Sequence, residues 1–241
     1  MLKSRLIHTC TSTFKHVVPN NIKGKGSSSA KWLTRQLSDP YVEKAKMMNY
    51  RCRSAFKLIE IDDRHKFLNP GKVIVDCGAA PGSWTQVAVN RVNADGLLSD
   101  QPRGVVIAVD KQQLFPISGA IILGNSDFTN PVVQDTLKTM LDGKEVDAVI
   151  SDMAPNTTGV KEMDDENIIN LCYSVLRFAV LVSKVSAVLV VKLWQSGYTK
   201  KLQNDMERFY HTVKVVKPNS SRTDSAEIFL IAKDFKGLKV S

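Results

Sequence analysis

Short apolar runs, each four to six residues long, recur along the chain from position 72 onward. Runs of this length suit strands that are buried on both faces of a sheet. Longer stretches between them repeat their apolar residues with the helical period. Strands that alternate with helices are typical of a mostly parallel sheet covered on both faces. The predicted strands are 72–76, 105–110, 120–123, 146–151, 187–192, 212–216 and 227–232.

The direction of the last strand follows from its connection to the strand before it. Only Lys217–Ala226 joins the last two predicted strands, which is too short for a helical crossover. These two strands should therefore be antiparallel, which makes the fold an α/β sheet of seven strands, mostly parallel, with helices on both faces. The early helix starts after Asp39, a capping residue, with Pro40 at its first position. The helical stretches are 41–66, 85–93, 131–141, 165–182 and 199–209.

Composition places the chain among globular proteins with one core. It has 241 residues, of which 43% are hydrophobic, enough for one well-buried core. No window approaches the roughly 20 apolar residues of a membrane span. The four cysteines contain no C-x-x-C pair, which argues against a disulfide framework and a structural zinc site and favours a reducing compartment.

The positive charge is concentrated at the N-terminus. The whole chain has a net charge of +9, but residues 1–38 contain seven Lys or Arg and no acidic residue. A basic segment that is rich in Ser and Thr and lacks acids is typical of a mitochondrial transit peptide. The alternative is a basic tail that contacts nucleic acid. Because residues 20–29 have the composition of a linker, we expect a transit peptide and linker over 1–29 and one folded domain over 30–241.

The first predicted strand runs into a glycine-bearing turn, Asp76–Trp84 (DCGAAPGSW). In doubly wound folds this turn lies where a ligand binds. Gly78 and Gly82 lack a Cβ, so the backbone can approach that ligand closely. The turn does not have the dinucleotide pattern G-x-G-x-x-G, and Pro81 lacks a backbone N–H that a pyrophosphate would need. The pattern favours a ligand without phosphates at this turn.

Two carboxylates follow the next two strands. Asp110 ends the second predicted strand, the usual position of a residue that binds a ribose diol. Asp127 follows the third strand, where a carboxylate can accept from an adenine amino group. Each aspartate alone is as readily explained as a loop or capping residue. Together with the glycine turn, they favour an adenosine-containing cofactor of the S-adenosylmethionine type.

A second group of charged residues converges on the same sheet edge. Asp152 follows the fourth strand, Lys192 ends the fifth, and Glu227 opens the antiparallel last strand. Lysines are seldom buried without a partner, although Lys192 can also extend out of the strand end into solvent. Lys57, on the early helix, is the fourth candidate. The order of the strands therefore predicts a cluster of two amines and two carboxylates beside the cofactor.

Such a cluster suits methyl transfer from a sulfonium to an alcohol. A ribose hydroxyl is a weak acid, so a base or a positive field must assist its deprotonation. A lysine can serve as that base when its neighbours and desolvation hold it partly neutral. Positioning of the two reactants supplies much of the remaining rate, and no metal is required.

Four separated segments resemble the FtsJ family of ribose 2′-O-methyltransferases, over about Trp32–Asp234. The resemblance implies a Rossmann-like, S-adenosylmethionine-dependent methyltransferase fold. It also implies a Lys-Asp-Lys-Glu tetrad, here Lys57, Asp152, Lys192 and Glu227, in which Lys192 acts as the base. The matching segments are Tyr50–Leu58 (YRCRSAFKL), Asp76–Trp84, Ser151–Pro155 (SDMAP) and Lys217–Glu227 (KPNSSRTDSAE). The cofactor contacts that follow from it are Gly78, Pro81, Gly82, Ser83, Trp84, Asp110, Asp127 and Asp152.

The same resemblance implies an RNA target. It is a uridine ribose in the peptidyl-transferase region of large-subunit rRNA, free or in a pre-ribosomal large subunit. The matches favour a mitochondrial branch of the family and thus the mitochondrial matrix, and we expect a monomer. Basic residues near the expected site predict the RNA contacts Arg53, Lys217 and Arg222.

Two other functions stay open at this stage. The chain can be an RNA-binding ribosome-assembly factor on a methyltransferase fold, without required catalysis; the complete tetrad argues against this as its only role. It can also be a nicotinamide-dependent oxidoreductase, which the Pro81 turn disfavours.

Overall fold

The computed structural model describes Gly26 and residues 33–238. The chain divides into two units, 1–49 and 50–241. In the first unit, helix α1 (Pro40–Met47) starts as predicted, because the Asp39 side chain accepts the N–H of Tyr41 at 3.1 Å and proline occupies the first turn. Apart from Gly26, the predicted transit peptide and linker, 1–29, lie outside the described residues.

The second unit is built on one seven-stranded sheet with the order β3-β2-β1-β4-β5-β7-β6. Strands β1 to β5 pair in parallel, and β7 runs antiparallel to both of its neighbours. The predicted α/β fold class and the antiparallel last strand are confirmed. The strands are β1 (Val73–Cys77), β2 (Val105–Val109), β3 (Ala120–Leu123), β4 (Val146–Ser151), β5 (Ser183–Trp194), β6 (Tyr210–Val216) and β7 (Glu227–Phe235).

Helices cover both faces of the sheet. Alternate residues of each central strand point to opposite faces, so Val75 and Val149 join one apolar core while Ile74 and Ala148 join the other. The continuous apolar strands are therefore buried on both faces of the sheet, as their composition indicated. The helices are α2 (Ala55–His65), α3 (Ser83–Val92), α4 (Pro131–Leu141), α5 (Lys161–Val182) and α6 (Tyr198–Glu207).

The single early helix predicted over 41–66 is wrong. Helix α1 ends at Met47, and Asn49 has a left-handed φ of +58°, a conformation that asparagine tolerates. The N–H of Arg51 then donates to the side chain of Gln86 at 2.9 Å, and α2 starts only at Ala55. A tertiary hydrogen bond thus replaces the helical one. Arg53 therefore precedes α2 and does not share a helix face with Lys57.

Strand β5 begins earlier than predicted. It starts at Ser183 instead of Ala187, and its pairing with β4 shifts register between Val146 and Ala148. Ser186 has a φ of +67° at this irregularity. Because the irregularity interrupts the regular alternation of the strand, the polar start of β5 does not have a recognisable strand pattern. Among the described residues, no helix is both long and apolar enough to span a membrane.

Candidate active site

The carboxyl ends of the parallel strands meet the start of β7 at one edge of the sheet. Cys77 at the end of β1 pairs with Ser151 at the end of β4, and Ser151 pairs with Val191 of β5. Glu227, the first residue of β7, pairs with Trp194 at the end of β5. The register therefore brings the positions that follow β1, β4 and β5 to the start of β7, as the sequence predicted.

The four charged residues of the predicted tetrad form a connected network at this edge. Lys57 Nζ lies 2.7 Å from a carboxylate oxygen of Glu227 and 3.9 Å from Asp152. Lys192 Nζ lies 3.0 Å from the same Asp152 oxygen and also donates to the Asp152 backbone carbonyl. The four side chains are between 10% and 17% exposed. Two cations thus alternate with two anions at a largely buried but accessible site.

Two serines complete the network, and neither is among the site residues predicted from the sequence. The Ser54 hydroxyl donates to Oδ2 of Asp152, and the Ser221 hydroxyl donates to Glu227 at 2.9 Å. Ser54 precedes α2 directly, and Ser221 lies in the turn before β7. Both lie inside matched segments, but neither pattern indicates where a hydroxyl points. They hold the carboxylates in orientation by hydrogen bonds to the charged form.

The electrostatics of the network keep Asp152 ionised. Burial opposes the charged form, but the ammonium groups of Lys192 and Lys57 and the Ser54 hydroxyl together hold the pKa of Asp152 below its usual value. Attraction to nearby cations stabilises a carboxylate in this way. Asp152 is therefore a fixed negative charge between the two lysines.

The glycine turn after β1 lies beside Asp152. Gly78 has a φ of +76°, and a Cβ at that position would lie 1.9 Å from Cγ of Met153. Gly82 has a φ of +111° at the start of α3, and a Cβ there would lie 2.7 Å from the Arg51 guanidinium. Both positions need glycine for conformation and for space.

Arg51 ties this turn to the loop after β2. Its guanidinium donates to the carbonyls of Pro81 at 2.8 Å, Phe115 at 3.0 Å and Pro116 at 2.8 Å. One planar side chain thereby fixes two loops whose residues line a cavity. The sequence pattern places Arg51 in a matched segment but does not indicate this role, because its acceptors are distant in sequence.

Ser83 and Trp84 lie inside the protein rather than at the edge. Both are 2% exposed. The Ser83 hydroxyl is 3.0 Å from the Cys52 sulfur, and the Trp84 indole N–H donates to the Ser54 carbonyl at 2.9 Å. The Trp84 ring stacks on Phe229 with centroids 5.6 Å apart. Their side chains support the turn and the tetrad from below, so their predicted contact with the cofactor stays a prediction.

The two aspartates predicted to bind the ligand lie where the strand order placed them. Asp110 accepts the N–H groups of Ala80 at 2.9 Å and Gln112 at 2.7 Å. Asp127 is exposed, and two hydrogen bonds from Thr129 lower its pKa. Each carboxylate is held by its loop and keeps lone pairs that can accept from a ligand. Asp110 has one left on each oxygen, and Asp127 has both on Oδ2, because the two Thr129 donors share Oδ1.

A cavity of about 390 Å³ opens between these loops. It lies within the ~300–1,000 Å³ range of small-molecule clefts. The lining does not include four of the predicted cofactor residues, which are Pro81, Gly82, Ser83 and Trp84. The predicted residues that line the cavity are Gly78, Asp110, Asp127 and Asp152.

The predicted RNA contacts flank the tetrad but differ in exposure. Arg53 donates to the Ser220 carbonyl, and Glu60 of α2 accepts the N–H groups of Asn219 and Ser220. Arg53 therefore holds the turn before β7. Lys217 is exposed, with its amine 2.8 Å from the Ser225 carbonyl, and Arg222 is half-buried.

No metal cluster is found in the part of the chain that the structure describes, counting groups of three or more His, Cys, Asp or Glu side chains.

Three features together define the protein as a methyltransferase. They are a Rossmann-like sheet with an antiparallel β7, a cofactor-sized cavity at the ends of β1, β2 and β4, and a paired amine–carboxylate network. The comparison with known families agrees. The chain belongs to the FtsJ-like methyltransferase family, which matches residues 50–235, and the resemblance inferred from the sequence segments is confirmed.

Individual relatives support the same assignment. The chain is 55% identical over 234 residues to the Drosophila melanogaster protein called rRNA methyltransferase 2, mitochondrial, covering 97% of this chain and 94% of the relative. It is 44% identical over 210 residues to ribosomal RNA large subunit methyltransferase E of Rhodopseudomonas palustris, covering 87% and 86%. A crystal structure of a Plasmodium falciparum ribosomal RNA methyltransferase superposes with a TM-score of 0.68 at 29% identity, covering 78% of this chain and all of that one.

Proposed function

We propose that the protein transfers a methyl group from S-adenosylmethionine to the 2′-hydroxyl of a uridine ribose in mitochondrial large-subunit rRNA. The observation that carries this proposal is the Lys57–Glu227 and Lys192–Asp152 network beside the cavity. The names of the Drosophila and bacterial relatives support the substrate class.

The residues around the cavity fit an adenosine cofactor. At Gly78 the Met153 side chain occupies the space that a Cβ would take, and both residues line the cavity. Asp110 would accept from the ribose diol and Asp127 from the adenine amino group, since each offers a carboxylate that its loop holds in place. Asp152 lines the same cavity and contacts Lys192. When bound, S-adenosylmethionine would supply a methyl group whose bond to a positively charged sulfur breaks as the ribose oxygen attacks it.

Lys192 is the proposed general base. As the new oxygen–carbon bond forms, the hydroxyl proton passes to Nζ of Lys192. Lys192 and Lys57 approach the same Asp152 oxygen, at 3.0 Å and 3.9 Å. Glu227 holds Lys57, and Asp152 aims Lys192. Positioning and proton removal are the two contributions of these side chains.

The proposed RNA contacts are Arg53, Lys217 and Arg222. Lys217 is exposed and Arg222 is half-buried beside the tetrad, so both can meet phosphates. Arg53 would act mainly by holding the Ser220 turn. Since all four tetrad residues lie in one chain, we propose that the active form is a monomer that acts on rRNA or on a pre-ribosomal large subunit.

One assay tests the activity and the base together. Purified protein is incubated with labelled S-adenosylmethionine and large-subunit rRNA, and the ribose label is quantified. We expect Lys192→Ala to lower the rate by roughly 10²–10⁴-fold, with cofactor affinity retained. Lys138→Ala, on the exposed face of α4, is the matched control and should behave as the wild type.

The possible results separate the candidate functions. Undiminished ribose label in Lys192→Ala would remove Lys192 as the base. No label on any ribosomal RNA or precursor would favour the assembly factor, in which RNA binding occurs without chemistry.

The location is a separate proposal. The basic, acid-free segment 1–29 and the mitochondrial relative support a transit peptide and linker that precede a methyltransferase domain over 30–241, with delivery to the mitochondrial matrix. Residues 1–30 fused to a fluorescent reporter should direct it to the matrix. A purely cytosolic signal would contradict the transit peptide.

A further inference from the structure

We propose that a second cavity, beside Trp194, holds the base of the target nucleotide, with the indole of Trp194 as its stacking surface. This inference rests on the proposed function, because it assigns a subsite for the RNA that the tetrad would methylate.

The cavity has a volume of about 360 Å³ and is separate from the cofactor cavity, with which it shares no lining residue. One side is formed by Thr157 and the start of α5, and the other by the end of β5 and the turn before β7. The loop that follows β4 lines the cofactor cavity up to Asn156 and this cavity from Thr157. The two cavities therefore lie against successive parts of one loop.

Its position relative to the tetrad suits one nucleoside. Trp194 follows Lys192 by two residues on β5, a separation of about 7 Å between Cα atoms. Trp194 is also the cross-strand partner of Glu227, and Ser225 and Ala226 of the lining directly precede Glu227. A ribose placed at Lys192 would have its base, one glycosidic bond away, within reach of this cavity.

The lining selects a base over a phosphate. It contains Asp164 and Asp165, which are both 9% exposed, against one cation, Lys161. Lys161 pairs with Asp165 at 2.6 Å, while Asp164 accepts the N–H and hydroxyl of Thr158. The remaining negative charge disfavours a phosphodiester. A half-buried indole together with the amide of Gln195 instead suits a flat, uncharged group with hydrogen-bonding edges.

This arrangement also orients the RNA. With the base directed toward Trp194, the sugar–phosphate chain lies toward the basic side chains Lys217 and Arg222. The target nucleotide must then be unstacked from its neighbours, as in a loop or single strand.

Two variants of Trp194 test the stacking role. Trp194→Phe keeps an aromatic face, whereas Trp194→Leu keeps apolar packing without one. We expect Trp194→Leu to lower kcat/KM for a large-subunit rRNA transcript by roughly 5- to 150-fold, the usual range for loss of one stacked base. Trp194→Phe should stay within about threefold of the wild type. Both should keep the cofactor affinity of Leu181→Ala, a control at an exposed apolar position on α5. Because Trp194 also packs against the apolar core, the rates are compared at a temperature well below the Tm of every variant.

A direct binding measurement accompanies the kinetics. Oligouridylate should quench the tryptophan fluorescence of the wild type. It should not quench the fluorescence of Trp194→Phe, which comes from the other two tryptophans. If the wild type methylates rRNA and Trp194→Leu is equally active, or if Trp194→Phe falls as far as Trp194→Leu, the base subsite is wrong while the proposed function stands. If the wild type methylates no RNA, the proposed function fails. In that case, no quenching of tryptophan fluorescence by oligouridylate would overturn the base subsite as well. Quenching that requires Trp194 would instead support base binding at this subsite.

Discussion

Nζ of Lys192 lies 3.0 Å from Oδ1 of Asp152, although the two residues are 40 positions apart in the chain. They lie at the ends of adjacent parallel strands, β5 and β4, and their side chains are 10% and 17% exposed. Because Lys57 contacts the same oxygen from α2, Asp152 is the anion that two cations share. The stability and the chemistry of the site should therefore depend on its charge.

Asp152→Asn should lower the stability of the protein and abolish its methyl transfer. Loss of the carboxylate leaves two mostly buried ammonium groups with less counter-charge, so we expect about 1–3 kcal/mol of destabilisation and loss of methyl transfer. The pKa of Asp152 is lowered in the folded protein, so the stability that ionisation contributes is present above the unfolded pKa of about 3.9 and is lost as the pH falls through the lower folded value.

The measurement is urea unfolding of wild type and Asp152→Asn between pH 3 and pH 8. The difference in unfolding free energy should be constant from about pH 5 upward and shrink below about pH 4. Asp135→Asn, on the exposed face of α4, is the control. A difference that grows as the pH falls would contradict the assignment of Asp152 as a stabilised anion.

Asp76 should have the opposite pH dependence. It is fully buried in β1, and its Oδ2 accepts from the Thr85 hydroxyl at 2.7 Å. Burial raises its pKa to about 7, with smaller contributions from the charges of Asp152 and Asp110. The folded state then holds a proton that the unfolded chain has lost, so this group lowers stability as the pH rises from about 4 to about 7, by up to about 4 kcal/mol.

Asp76→Asn keeps an uncharged acceptor for the Thr85 hydroxyl, and this position should then no longer lower the folding stability as the pH rises. Relative to wild type, the variant should therefore gain stability between pH 5 and pH 8 in thermal unfolding. Asp100→Asn, at an exposed position, serves as a surface control. A wild type and an Asp76→Asn variant that change in parallel over this range would show that Asp76 is ionised throughout.

Gly78→Ala should weaken cofactor binding. The added Cβ would lie 1.9 Å from Met153 Cγ, and Met153 lines the cofactor cavity, so relief of the clash displaces a wall of that cavity. Gly143→Ala is a matched control, because Gly143 has a φ of +75° and no atom within 4 Å of its would-be Cβ. Both variants carry about 1 kcal/mol of backbone strain.

Calorimetric titration with S-adenosylmethionine distinguishes these two effects. We expect at least about tenfold weaker binding for Gly78→Ala, equivalent to ~1.4 kcal/mol, and unchanged binding for Gly143→Ala. Equal affinities in the two variants would mean that the glycine turn is needed only for its backbone conformation.

Lys217→Ala should weaken RNA binding without a change in cofactor affinity. Lys217 is exposed beside the turn that Glu60 and Arg53 hold, so its amine can exchange the Ser225 carbonyl for a phosphate. Removal of one phosphate contact should reduce the slope of log K against log salt by about 1. Filter binding at several salt concentrations measures this slope, with Lys138→Ala as the control; an unchanged slope would exclude Lys217 from the interface.

The sequence determined the sheet and the positions of the charged groups along it. Apolar strands alternating with helices, a short last connection and acids directly after strands were enough to place Asp110, Asp127 and Asp152 at one edge. They also placed Lys192 and Glu227 beside it, because parallel strands end together. These features are local or follow from the topology of the sheet, so they can be inferred without side-chain geometry.

Only the tertiary structure decided which polar groups meet and where the chain departs from its local pattern. The interruption of the early helix depends on Gln86, the fixation of two loops depends on the reach of Arg51, and the orientation of Asp152 depends on Ser54. Trp84 belongs to a glycine turn by sequence but packs in the core. Hydrogen bonds and close packing are short-range in space and indifferent to distance along the chain, so the sequence pattern alone does not reveal these partners.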